Sequence, residues 1–346
     1  MDFKRLQILR ELADRQSVGA TAEAMNVTAS AVSQQLKTLQ AEIGVVLVEK
    51  VGRGVQLTEA GQAMAAAAAD IATAMAKAES TVDSYRKGWQ ARVSVAFFPS
   101  AAEMLLPGVL HRVAAVEGLA FDAHFEDPGT AYFAPLVADY DIVLAHSVDG
   151  PDVFARKGLT VVPLLEEALD VAMPAGHPLA ARPRLSPADV IDFPWIGVPE
   201  GFPFDTVLRQ IELHAGRPAQ RGQRYPDLRV LEALVGAGHG ICLLPRYTAR
   251  ASARRGLVLR PLTDVKASRS IVALARQEVA ARATIKGVLD MLESEAAGIA
   301  RELDGSGPGA RGTGAGCGGS RNNRAGALNP AGNGVQRHRV HIDFGP

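Results

Sequence analysis

Residues 20–39, ATAEAMNVTASAVSQQLKTL, decide how this chain is read. Val32, Leu36, Leu39 and Ile43 recur at steps of four, three and four, which lines one face of a helix. Ala20, Ala24 and Val27 supply the apolar side of a shorter helix before it, and Asn26 interrupts that helix. Thr28 or Ser30 starts the second helix, because a hydroxyl there accepts a bond from a free backbone N–H. The outward side then carries Thr28, Ala29, Ser30, Ser33, Gln34 and Lys37. Short hydroxyl and amide groups reach base edges in a major groove, an alanine methyl meets a thymine methyl, and lysine pairs with phosphate. On a lone helix the same residues would read as an ordinary solvated face.

The flanks favour the first reading. Phe3 to Arg15, with Leu6, Leu9 and Leu12, is a helix that braces the pair. Val51 to Leu57, VGRGVQL, is a hairpin with Arg53 at a glycine-flanked tip. A wing of this kind touches the backbone or minor groove, where arginine suits the narrow, negative channel. Brace, turn, second helix and wing together predict a winged helix-turn-helix over residues 1–60. Charge argues the other way. The same 60 residues hold seven Lys and Arg against seven Asp and Glu, and the whole chain of 346 is formally neutral, so non-specific attraction to phosphate is modest. A dimer doubles the contacts.

From Thr58 to Lys87 there is no proline and alanine is dense. Met64, Ala68, Ile71, Met75, Ala78, Val82 and Tyr85 alternate steps of four and three, a coiled-coil seam over three heptads. The expectation is a linker helix over 61–88 that pairs two chains; packing on its own domain is the other reading. Pairing would set two reading helices against a pseudo-palindromic site.

Beyond Gly88 strands and helices alternate. Strands are expected at 92–98, 121–125, 141–145, 168–173, 195–198, 240–244, 257–262 and 270–275, with helices including 206–215, 227–236 and 281–301. Ser100-Ala101-Ala102-Glu103 reads as a capping box. Alternation of this kind implies open, mostly parallel sheets with ligands at strand C-terminal ends. Crossings near Pro163 and Thr263 divide the module into lobe one (91–162 and 266–303) and lobe two (163–265). Residues 304–346 contain 12 glycines among 43 residues, carry about +3, and are expected to be a disordered low-complexity tail.

Other chemistry is not indicated. Gly236 to Gly240 follows a helix and precedes a strand, the reverse of a dinucleotide fingerprint. The eight histidines lack ligand spacing, Cys242 and Cys317 define neither a disulfide framework nor a metal cage, and no serine elbow or paired carboxylates stand out. No cofactor, metal or catalytic role is expected. The first 20 residues are charged throughout, and no apolar run reaches the ~20 residues of a membrane span, so a cytoplasmic protein is expected.

The N-terminal pattern resembles the LysR-type transcriptional regulators. The matching residues are Leu6, Leu9, Ala22, Ala24, Ala31-Val32-Ser33, Gln35-Leu36, Leu39, Val55, Leu57-Thr58 and Ala60-Gly61. Thr28-Ala29-Ser30, Gln40 and Val48-Glu49-Lys50 depart from the family's usual residues. The likeness is specific over residues 1–65 and looser to about residue 303. It implies promoter DNA and a small-molecule effector as partners, dimers or tetramers built on the linker helix, and a bilobal α/β module like periplasmic binding proteins. It also implies an effector contact at Ser100, beside Ala101. Gly201 and Phe202, in a glycine- and proline-rich loop, could form the opposite wall, with His146 and Tyr225 as further candidates. For His146 a solvated side chain is the plainer expectation. Phe98, Phe202 and Phe204 hint at an apolar or aromatic effector. The competing reading is a bilobal binding protein or enzyme whose N-terminal helices only dimerise.

Overall fold

A computed structural model describes residues 1–52, 54–83, 90–249 and 256–305. The N-terminal head consists of α1 (Phe3–Arg15), α2 (Val18–Ala24) and α3 (Ala29–Ile43), then a hairpin of β1 (Val48–Val51) and β2 (Gly54–Leu57). Each helix begins on a side-chain acceptor: Asp2 for the Lys4 N–H, Ser17 for Ala20 and Thr28 for Ala31. Of the two starts the sequence left open, α3 uses Thr28. Asn26 turns the chain between α2 and α3 with φ of 51°, a left-handed conformation that asparagine tolerates. Leu6, Leu9, Leu12, Val32, Leu36, Leu39 and Leu47 close into one core. Burying each leucine contributes about 1.5–3 kcal/mol.

The loop before β1 is tied to α3 by Gln40, whose Oε1 accepts from the N–H groups of Leu47 at 2.8 Å and Val48 at 3.1 Å. The long helix α4 (Glu59–Asp83) starts hard against this loop. A Cβ on Gly61 would lie 2.0 Å from the Leu47 carbonyl oxygen, so that approach requires glycine.

Helix α4 departs from the expected seam. It buries Ala65, Ala68, Ala69, Thr73 and Ala76 against its own chain, and packs on α1 and on the short helix α9 (Gln277–Ala280). Met64 is half-buried, while Ile71, Met75, Ala78 and Val82 remain as an open apolar stripe. Tyr85 lies outside the described residues. Alanine around the helix leaves more than one apolar strip, and the intramolecular one took Ala68.

The rest of the chain supplies β3 (Ala91–Phe97), α5 (Pro99–Val113), β4 (Leu119–Phe125), β5 (Ile142–Ser147), β6 (Leu159–Pro174), α6 (Pro187–Val190), β7 (Pro194–Gly197), α7 (Pro203–Ala215), β8 (Gln220–Arg224), α8 (Leu228–Gly236), β9 (Cys242–Pro245), β10 (Leu257–Arg260), β11 (Ser268–Arg276), α9 and α10 (Ala283–Gly305). Three short 3-10 turns lie at Thr130–Tyr132, Ala134–Ala138 and Pro151–Phe154. The main sheet has the order β10-β6-β11-β5-β3-β4, with β9 also on β6. β3 runs parallel to β4 and β5, but β11 is antiparallel to β5 and β6, and β9 and β10 are antiparallel to β6. The sheet is therefore mixed rather than mostly parallel, because β11 re-enters after the second lobe running against its neighbours.

Two apolar cores flank this sheet, one around Val95, Leu105, Leu144 and Leu292, the other around Val171, Trp195, Val207 and Leu244. The sixteen-residue β6 belongs to both. Ser268 pairs with Ala168, and beyond that pair β6 turns to β9 and β10, so the chain passes between cores at residues 168–169 and 267–268. The crossings expected near Pro163 and Thr263 fall short of this. At the other end α10 continues through Asp304 and Gly305, two residues into the stretch read as tail. The remainder of that tail, with Cys317, lies outside the described residues, as does Arg53 at the wing tip. Among the described residues no helix is long and apolar enough to cross a membrane.

Candidate functional site

Two separate surfaces result from this architecture. The first is the outward face of α3. Val32, Leu36 and Leu39 face the head core, which turns Thr28, Ala29, Ser30, Ser33, Gln34 and Lys37 to solvent, all six exposed. The hydroxyls are held locally. Thr28 and Ser30 are 2.9 Å apart oxygen to oxygen, and Ser33 donates to the Ala29 carbonyl at 3.0 Å. The face is polar, convex and of helix width, suitable for a major groove. Beside it stands the β1–β2 hairpin, in register from Val48↔Leu57 to Val51↔Gly54.

The second lies where the two lobes meet, a buried polar cluster centred on a residue that sequence reasoning missed. Arg269, near the start of β11, is 1% exposed and paired with Glu167 of β6, which is 0% exposed. Its Nε and Nη2 donate to Glu167 Oε2 at 3.0 and 2.6 Å, Nη2 also donates to Ser100 Oγ at 2.9 Å, and Nη1 donates to His146 Nδ1 at 3.3 Å. The other Glu167 oxygen accepts from the Tyr247 backbone N–H at 2.9 Å. The guanidinium lies 5.2 Å from the ring of Phe98 in lobe one and 5.4 Å from that of Phe204 in lobe two, cation–π distances on both sides.

His146 is buried, contrary to the solvated position expected. Its ring stacks on Phe98 at 4.2 Å and meets Phe133 edge-on at 5.3 Å. Burial, opposed by Asp127 and reinforced by the Arg269 charge, pushes its pKa down to about 4. An arginine can only donate, so Nδ1 is the acceptor and the ring proton sits on Nε2, 3.8 Å from Asp127 Oδ1.

Ser100 does not cap α5. Phe98 is the N-cap, Pro99 occupies the first turn, and the Ser100 hydroxyl lies inside the helix, where it accepts from Arg269. The capping box fails because proline at the first helical position already fixes φ and moves the start one residue earlier. Ala101 is wholly buried beneath this cluster. Gly201 is exposed and carries the opposite lobe to lobe one, its carbonyl accepting from the Thr130 N–H at 3.5 Å. Phe202 is the half-buried N-cap of α7 and sets Phe204 facing Arg269. Tyr225 stays within lobe two, its N–H on the Gly197 carbonyl at 3.0 Å, its hydroxyl on Gln223. Ser100 and His146 are thus joined through Arg269, and Gly201 meets lobe one nearby; no described contact brings Tyr225 to them. Glu167 and Arg269 had one weak sequence signal: each is a charge at the border of an apolar run, Glu167 after Leu164-Leu165 and before Ala168-Leu169, Arg269 ahead of Ile271-Val272.

Comparison with known proteins agrees with both halves of this picture. Residues 3–62 match the model of bacterial regulatory helix-turn-helix proteins of the lysR family, and residues 86–297 match that of the LysR substrate binding domain. This chain belongs to the LysR family. It is a LysR-type transcriptional regulator with a DNA-binding helix-turn-helix and an effector-binding domain. The transcriptional dual regulator GltC of Bacillus subtilis is 28% identical over 279 residues, covering 78% of this chain and 89% of GltC. A probable nitrogen assimilation transcriptional activator of Synechococcus elongatus is 25% identical, covering 80% of this chain and 90% of its own. A full-length OxyR variant of Pseudomonas aeruginosa superposes with a TM-score of 0.57 at 21% identity, covering 84% of this chain and 94% of its own. Full-length LysG of Corynebacterium glutamicum, with bound effector Arg, gives 0.57 at 19%, covering 86% and 99%. At these identities the structures show a shared fold.

Proposed function

We propose that this LysR-family chain acts in the cytoplasm as a homodimer or homotetramer that reads a promoter sequence and adjusts its grip when a small molecule enters the cleft. The head (1–60) would read bases with Thr28, Ala29, Ser30, Ser33 and Gln34, and hold the backbone with Lys37 and Arg53. The linker helix (61–88) would pair chains through the open stripe of Ile71, Met75, Ala78 and Val82. The observation that carries the reading is the division of α3 into a buried apolar face and six exposed reading residues.

The effector would contact Ser100, Ala101, His146, Gly201 and Phe202 from the two walls of the cleft, with Tyr225 contributing from lobe two. The cluster supports this because it spans both lobes and centres on hydrogen bonds a ligand could compete for. Closure of the lobes would favour one arrangement of the assembly only if the ligand binds that arrangement more tightly.

The test is a salt titration of the protein on its own upstream DNA, with Ser33→Ala plus Gln34→Ala as the variant. Specific binding falls by about 30-fold or more, the loss expected for two base contacts at about 1–3 kcal/mol apiece, while dimerisation is unchanged. Binding with no salt sensitivity and no sequence preference would leave a ligand-binding or enzymatic role instead.

A further inference from the structure

The apolar stripe of α1 faces the head core, and a second stripe on the same helix, Arg10, Glu11, Asp14 and Arg15, faces away from it onto the first lobe of the effector-binding domain. Arg276, at the last position of β11, donates from Nη2 to Asp14 Oδ2 at 2.9 Å and to Glu11 Oε2 at 3.1 Å, and its Nη1 pairs with the other Glu11 oxygen. Arg10 pairs with Glu278 of α9, the two side chains only 11% and 10% exposed. Arg15 donates to Asp139 Oδ1 at 2.8 Å and to the Ala138 carbonyl at 2.6 Å. Farther along, the Ala283 N–H donates to Ser80 Oγ of α4 at 2.9 Å, and Ala69 of α4 lies 3.7 Å from where a Cβ on Gly158 would stand. Both sides carry charges of both signs, and each of these carboxylates meets a guanidinium. The Arg10–Glu278 and Arg276–Glu11 pairs, largely out of water, require their partners, because separating them leaves charges with little solvent to compensate them, whereas Asp139 at the rim is 55% exposed.

We propose that this stripe is a charged latch that fixes the orientation of the DNA-binding head against lobe one of its own chain. The latch is a docking device and not part of the fold of either body: α1 already has its apolar core in the head, and lobe one has its own. β11 gives it a regulatory position. The same strand holds Arg269 in the cleft at one end and Arg276 in the latch at the other, roughly 23 Å apart for seven residues of strand. A ligand that moves the cleft end of β11 therefore works against the seat of the head.

Hydrogen exchange of the full chain tests this without DNA or effector, so its failure is separate from a failure of the DNA-reading proposal. In Arg276→Met the amides of 134–140, covered by α1 of the head, and of 277–283, covered by Arg10 of the head together with α4, exchange at least 10-fold faster, while those of Ile142–Ser147 in the lobe-one sheet are unchanged. Arg15→Met, at the rim, gives a smaller rise confined to 134–140. Unchanged exchange in both segments would overturn the latch. So would acceleration that spreads into Ile142–Ser147, which would mean these groups hold lobe one together instead of holding the head to it. If Arg276→Met does not fold, Arg15→Met decides by the same criteria.

Discussion

Replacing Arg269 by methionine removes the guanidinium hydrogen-bonded to Glu167 and keeps a side chain of comparable length. Glu167 is then a fully buried carboxylate left with the Tyr247 N–H at 2.9 Å, and the Ser100 hydroxyl and His146 Nδ1 each lose a donor. Breaking a buried pair from one side costs about 3–5 kcal/mol, whereas replacing both partners by apolar groups of similar volume is often neutral or stabilising. Arg269→Met is therefore expected to destabilise by about 3–5 kcal/mol, and Arg269→Met with Glu167→Leu to recover most of it, leaving a coupling of about 3 kcal/mol. Trp195, buried in the lobe-two core, reports the transition by fluorescence in urea. A single variant costing under about 1 kcal/mol would refute the argument, as would a double variant no better than the single. Either result would mean that water or a neighbouring side chain replaces the guanidinium at no penalty.

Three further outcomes follow from the same geometry. His146 takes up a proton near pH 4 when folded against about 6.5 when unfolded, so its contribution to stability is complete above pH 6.5 and falls away as pH drops from 6.5 to 4, by about 3 kcal/mol in all; in His146→Gln the pH profile over that window is shallower by that amount. Ile71→Glu with Met75→Glu puts charge on the open stripe of α4 and lowers self-association at least 10-fold by sedimentation, with the thermal unfolding of the chain little changed, because both side chains are already in solvent. Gly61→Ala sets a methyl 2.0 Å from the Leu47 carbonyl oxygen and costs the head about 1–3 kcal/mol in thermal melts.

The helices of the head were legible because their apolar residues keep one period and their starts carry a hydroxyl or carboxylate acceptor. The reading face of α3 was legible for the same reason: once Val32, Leu36 and Leu39 are assigned inward, the remaining directions are outward. The cleft was not. A strand expected at 168–173 is really Leu159–Pro174, and one expected at 270–275 is Ser268–Arg276; both expectations stop just short of Glu167 and Arg269. Charge in a strand reads as its boundary when the opposite charge is a hundred residues away, and these two cancel only across the β6–β11 pairing. His146 suffered from the same distance. Its burial depends on Phe98 and Phe133, which no local pattern joins to it. The seam of α4 was half legible, since period identifies an apolar strip and not what covers it.

The neutral charge of the head, which weighed against DNA binding on composition alone, takes a different meaning once the partners are known. Of the seven basic residues in 1–60, Arg5 is paired with Glu42, Arg10 with Glu278 and Arg15 with Glu11 and Asp139. The carboxylates are engaged in turn: burial pushes Glu11 up, but Arg276 and Arg15 outweigh it and hold it below its ordinary range, and Arg5 does the same at Glu42. Most of these pairs point toward lobe one or brace α1 on α3. They add nothing to the field at the reading face, where Lys37 stands exposed among uncharged hydroxyls and amides. A duplex approaching α3 therefore meets a polar surface with little repulsion and little long-range attraction. On the proposed reading only Lys37 and Arg53 of each head meet phosphate, so the salt dependence would be measurable but modest, and the remaining affinity would come from base-edge contacts and from two heads on one duplex. In the proposed dimer the second head would add affinity only if held in register with the first, and a rigid seat on lobe one would then contribute to specificity alongside the side chains of α3.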